Sequence, residues 1–132
     1  MAKRLTKALR GKRRWVGVAF EPDVKRRSEA STLLESAFSE ITSPRPIRLM
    51  DFHPSTSEQA GATRAHLAKE GGATELFSYG IIEVPHEVYK DTIALVRSDG
   101  SLDKCGLFSL TSSGKIRLVR ERLALERPPR RR

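Results

Sequence analysis

Thr111-Ser112-Ser113-Gly114-Lys115, with Arg117, Arg120 and Arg122 just beyond, is the stretch whose residue types are best suited to holding a ligand. The first turn of a helix has unpaired N–H groups and the positive end of the macrodipole. Serine hydroxyls and a lysine placed there make a phosphate a natural guest. The spacing is that of a strand, a polar turn and a helix. Cys105–Leu110 is an apolar run of strand length without proline. Thr111, Ser112, Ser113 and Gly114 are turn and N-cap types. Ile116, Val119 and Leu123 then recur at i, i+3 and i+7, which is one helical face. Lys115, Arg117, Arg120 and Arg122 lie on the other faces, and Pro128-Pro129 ends the helix. An ordinary strand-to-helix turn with a solvated cationic face has the same residues, so both readings stand at this stage. A Walker A loop is excluded, because neither its first glycine nor its trailing Ser/Thr is present.

Other chemistry finds less support. His53, His66 and His86 are not at ligand spacing, and there is no H-E-x-x-H and no Cys–His pairing. Glu83 and Glu87 flank Pro85-His86, where helix-start electrostatics explains an acid as well as a metal does. Ser112 and Ser113 have no His or Asp in their motif to activate them as nucleophiles. No protein active site, bound metal or cofactor is expected. The single cysteine, Cys105, excludes an internal disulfide framework and reads as a buried thiol within the strand. No stretch approaches the roughly 18 apolar residues of a membrane span. The basic N-terminus lacks the apolar core of a secretory signal, so the cytoplasm is the expected compartment.

The net charge is +9 and unevenly distributed. Residues 1–14 carry seven Lys/Arg and no acid, and residues 115–132 carry eight against Glu121 and Glu126. The body between them has ten bases and fourteen acids. A mildly acidic body with two basic ends is the footprint of a domain aimed at a polyanion, nucleic acid first. An anionic membrane fits less well, because neither end sets a large apolar face beside its charge. The plain alternative is that the ends are solubilising disorder.

These residues need elements to position them. The 132 residues suffice for one domain with a core of its own. Its ordered part is expected over about 13–125, with a basic arm at 1–12 and an Arg-rich tail at 126–132. Arg13–Phe20 predicts a strand with Val16, Val18 and Phe20 on one face and Trp15, Gly17 and Ala19 on the other. The small residues of the second face suggest close approach by another element. Trp15 can stack on a base or sit half-buried at a core edge. Ser28 is expected to cap a helix over Glu29–Ile41, whose apolar residues fall at helical spacing. Ile47–Phe52 reads as a second strand. Residues 53–76 are rich in small and polar types; a helix over Glu58–Lys69 has few core-facing residues, so the segment reads as a surface insertion. Leu76–Val84 is a third strand, Pro85 opens a helix running to about Ser98, and Asp99-Gly100-Ser101 turns into the fourth strand. The order implies two split β-α-β units. The expected fold is an α/β sandwich of ferredoxin-like type: a four-stranded antiparallel sheet with helices on one face, plus a C-terminal basic helix. The RNA recognition module shares that architecture, but its aromatic signature is missing, so base stacking on the sheet is not expected.

Two segments, Gly80-Ile81-Ile82-Glu83-Val84-Pro85-His86-Glu87 and Ser113-Gly114-Lys115-Ile116, together with Arg14-Trp15-Val16 after a basic lead, carry a family resemblance. The chain resembles archaeal ribonuclease P protein component 2, related to the eukaryotic Pop and Rpp subunits. The likeness covers roughly residues 12–52 and 76–125. In that family a Gly-Ile-(Val/Ile)-x-(Val/Cys)-x-(Arg/His)-Glu segment leads into the second helix, and Ser-Gly-x-Ile opens the last. The Ser/Gly/Ala-rich insertion and the extended Arg-rich tail depart from it. The resemblance implies a non-catalytic subunit that binds the catalytic domain of the ribonuclease P RNA. It also implies a barrel-shaped protein partner of the component 3 type in a two-plus-two heterotetramer. The RNA, with its Mg²⁺, would remove the 5′ leader of precursor tRNA.

On this reading Arg13, Arg14, Lys115, Arg117, Arg120 and Arg122 contact RNA phosphates, and Ser112, Ser113 and the Gly114 backbone set an anion at the helix start. Six neutralised phosphates would give a log–log salt slope of about −4 to −5. Two rivals remain: a ribosomal or ribosome-assembly protein of the same fold, and a protein-interaction adaptor that uses the sheet face and Trp15.

Overall fold

The computed structural model describes residues 13–43, 46–71, 75–97 and 100–125. The expected arm at 1–12 and tail at 126–132 lie outside these residues. In chain order the elements are β1 (Arg13–Phe20), α1 (Arg27–Ala37), β2 (Arg48–His53), α2 (Glu58–Lys69), β3 (Ser78–Pro85), a 3-10 turn (His86–Val88), α3 (Tyr89–Arg97), α4 (Ser101–Cys105), β4 (Leu107–Ser113) and α5 (Ile116–Arg122). The strands form one sheet in the order β2-β3-β1-β4. Each neighbouring pair is antiparallel. This is the expected sandwich topology, with β1-α1-β2 and β3-α3-β4 as its two split crossovers.

Alternation along the central strands divides the molecule into layers. Val16, Val18 and Phe20 of β1 join Ile82 and Val84 of β3, Leu49 of β2 and Leu107 of β4 under α1 and α3. Ala30 and Leu34 of α1, Val96 of α3, Val88 of the 3-10 turn, and Val24 and Phe38 on either side of α1 complete that core. Burial of each large apolar side chain contributes roughly 1.5–3 kcal/mol before chain entropy. The other face of the sheet is covered too. Ala19 and Tyr79 lie with Ala60 of α2, and Ile81 lies with Val119, Leu123 and Leu125 of and after α5.

Segment 53–76 is therefore more than a surface insertion. Ser57 Oγ accepts from the Ala60 N–H at 3.1 Å and caps α2, and Ala60 and Thr63 are buried. The helix buries small side chains, with Leu67 its one large apolar residue packed against the clusters of this face. Gly17 has a comparable role under α5. A Cβ there would come within 2.7 Å of Leu123 Cδ1 and 3.1 Å of Val119 Cγ1. The small residues on the second face of β1 are what let α5 lie close.

Several boundaries differ from expectation. Helix α1 begins at Arg27 with no side-chain cap, so Ser28 is not its N-cap; Glu29 instead reaches back to the Lys25 N–H at 3.3 Å. The helix ends at Ala37, and Phe38 and Ile41 still pack on the core. Cys105 is not in a strand. It is the last residue of α4, a short helix bracketed by Gly100 and Gly106 at φ of 76° and 81°. That left-handed conformation favours glycine. Thr111, Ser112 and Ser113, expected as turn, pair with Gly17, Val16 and Trp15 as the end of β4, beyond an irregularity at Gly17/Val18. No described helix is long and apolar enough to cross a membrane.

Candidate nucleic-acid interface

Antiparallel pairing puts the start of β1 beside the ends of β3 and β4. Arg13 pairs with Pro85, Arg14 with Val84, and Trp15 with Ser113. The basic start of β1 thus meets the Ser113-Gly114-Lys115 turn that leads into α5. Arg14 Nη1 lies 3.8 Å from where a Gly114 Cβ would stand. Arg122 comes back to the same end, donating from Nη1 to the Ser112 carbonyl at 2.9 Å and to Thr111 Oγ1 at 3.0 Å. Arg13, Gly114, Lys115, Arg117 and Arg122 are exposed. Arg13, whose side chain is 54% exposed, also reaches Glu83 at 3.4 Å and lies 6.0 Å from the Trp15 ring centroid. Trp15 is half-buried and packs beside α5.

The two serines are engaged within the fold. Ser112 Oγ and the Tyr89 hydroxyl are 2.7 Å apart. Ser113 is buried, and its Oγ accepts from the Lys115 N–H at 3.1 Å. The residue in the N-cap position of α5 is Lys115, with no side-chain cap bond, not a serine. Both hydroxyls expected at the anion site are thus held by bonds within the fold, where they shape the turn that presents the cations.

Arg14 stacks its guanidinium over Tyr89, 4.9 Å from the ring centroid. Its Nε is buried without a hydrogen-bond partner among the described residues. Burial pushes the Tyr89 phenol up, but the Ser112 hydroxyl and the Arg14 and Arg97 guanidiniums outweigh it and bring the pKa below its ordinary value. Tyr89 and Arg97 are the members of this end that the sequence did not single out. Nothing in residue spacing links position 14 to 89 and 112.

Arg120 leaves the cluster. It makes a two-pronged ion pair with Asp51 of β2, Nε to Oδ2 at 2.9 Å and Nη2 to Oδ1 at 3.2 Å. The pair is mostly covered, with 18% and 10% of the two side chains exposed. Asp51 sits where the β2–β3 register shifts. There its carbonyl would stand 2.8 Å from a Cβ at Gly80, so the glycine makes room for the irregular strand. Arg120 thus ties α5 to β2 across the sheet.

His53, His66 and His86 lie on β2, on α2 and in the 3-10 turn. Among the described residues no group of three or more His, Cys, Asp or Glu could hold a metal ion. The chain matches no family model, no curated protein and no solved structure.

Proposed function

We propose that this chain is a non-catalytic protein subunit of ribonuclease P, of the archaeal component 2 type. It holds the catalytic domain of the ribonuclease P RNA and supports the Mg²⁺-dependent removal of the 5′ leader from precursor tRNA. The Mg²⁺ belongs to the RNA, and the work is done in the cytoplasm beside a barrel-shaped component 3 partner in a two-plus-two assembly. The observation that carries the reading is the meeting of cations from both ends of the domain, Arg13 and Arg14 with Lys115 and Arg122, at one end of the sheet. Phosphate contacts of that kind position an RNA without reading its sequence. The two motif segments also support it. Gly80–Glu87 runs along β3 into the turn before α3, and Ser113–Ile116 runs from the end of β4 into α5. The adaptor reading used the sheet face and Trp15; α2 and α5 pack on that face, and Trp15 is half-buried beside α5.

The test is reconstitution of precursor-tRNA processing from the RNA and its protein subunits, with and without this chain. Addition should raise the rate of 5′ leader removal and lower the Mg²⁺ required. No change in either quantity would remove the chain from the enzyme.

A further inference from the structure

Beside α5 lies a cavity of about 370 Å³, lined by Ile116, Arg117, Arg120, Glu121 and Leu125. Ile116 and Arg120, and likewise Arg117 and Glu121, are one turn apart on the helix. Leu125 is folded back onto the helix end by the hydrogen bond its N–H donates to the Arg120 carbonyl at 2.8 Å, after Ala124 takes a φ of 55°.

The lining is unlike the cationic cluster at the sheet end. Arg120 has Nε and Nη2 on Asp51, so its charge is matched and its orientation fixed. What remains for an occupant is the part of the guanidinium that Asp51 does not cover, Nη1 included. Ile116 and Leu125 add methyl surface, and Glu121 adds an exposed carboxylate that repels phosphate. Such a lining suits a flat, uncharged ring with N–H donors on one edge. Guanidinium planes stack on nucleobases, and carboxylates accept from base N–H groups. Exposed Arg117 is then placed for the phosphate of the same nucleotide. The geometry points to a pocket for one unpaired base of the bound RNA, guanine above all, whose N1–H and 2-amino group offer two parallel donors to Glu121. The inference rests on the reading of the chain as RNA-binding and deepens it: the sheet end holds backbone, and this pocket reads a base.

Two short single-stranded uridine oligonucleotides test it, one with a central guanosine and one abasic at that position. Their phosphates are the same, so backbone attraction is equal and only the base differs. The full-length chain should bind the guanosine strand about tenfold more tightly, within the range of a good bidentate contact. Glu121→Gln, at an exposed position, should erase most of that ratio between the strands, while the loss of its negative charge raises affinity for both backbones alike. Equal affinity of the native chain for both strands overturns the pocket and leaves the phosphate contacts standing. A guanosine preference untouched by Glu121→Gln also overturns it, because the base is then read elsewhere. Binding of neither strand contradicts the pocket and the RNA-binding reading together.

Discussion

Serine at a strand-to-helix turn can cap, brace a neighbour or hold a ligand, and here Ser112 and Ser113 brace their neighbours. Ser112 braces Tyr89, which in turn carries the Arg14 guanidinium on its ring. The exposed cationic heads of this end include Arg13, Lys115 and Arg122, with Arg117 next along α5. They adapt to a backbone and confer no sequence preference. Which role a serine takes depends on a partner 23 residues away in sequence, so local spacing does not show the wiring of this stretch. A second residue makes a pH prediction. Burial lowers the pKa of His53 below 6.5, with the Asp51 charge working the other way. The native state then binds the proton less readily than the unfolded chain. The full contribution of His53 to stability is present above that ordinary value and is lost as pH falls through it toward the lowered native one. The urea midpoint should therefore drop between about pH 7.5 and about pH 5, and His53→Gln should reduce the drop. An identical pH profile in the variant would remove His53 from the account.

Helix α5 has seven residues, too few to persist alone in water. It stays because Val119 and Leu123 lie over Gly17 and Ile81, because Arg120 reaches Asp51, and because Gln59 donates to the Ala124 carbonyl at 2.8 Å. Gly17→Val should overpack that contact and destabilise the domain by about 1–3 kcal/mol. Urea denaturation measures the loss, and hydrogen exchange should show the α5 amides opening first. Unchanged stability would mean that α5 does not rest on β1. Elements of this kind separate what can be read in the sequence from what cannot. β1 and the apolar set of α1 were legible because their periods of two and 3.6 match large buried side chains. Helix α4 was not, because five residues between two glycines show no period and the apolar run after Cys105 resembles a strand. The place of α2 was hidden for another reason. Its buried residues are the small Ala60 and Thr63, with only Leu67 adding a large apolar side chain, and Thr63 Oγ1 and the Tyr79 hydroxyl have no hydrogen-bond partner among the described residues.

At the scale of the whole molecule, charge and topology act together. The basic character of both ends is plain in the sequence, but their meeting is a product of antiparallel pairing between the start of β1 and the end of β4. Helices on both faces of the sheet leave an RNA the sheet end and the flank of α5 rather than the sheet surface. The central claim is that cations at this end hold RNA phosphates. Its most direct test is the salt dependence of binding to the ribonuclease P RNA, compared between the native chain and the Lys115→Ala/Arg117→Ala variant. Loss of two phosphate contacts should weaken binding and make the log–log slope shallower by about 1.5. A slope unchanged by the double substitution would contradict the claim.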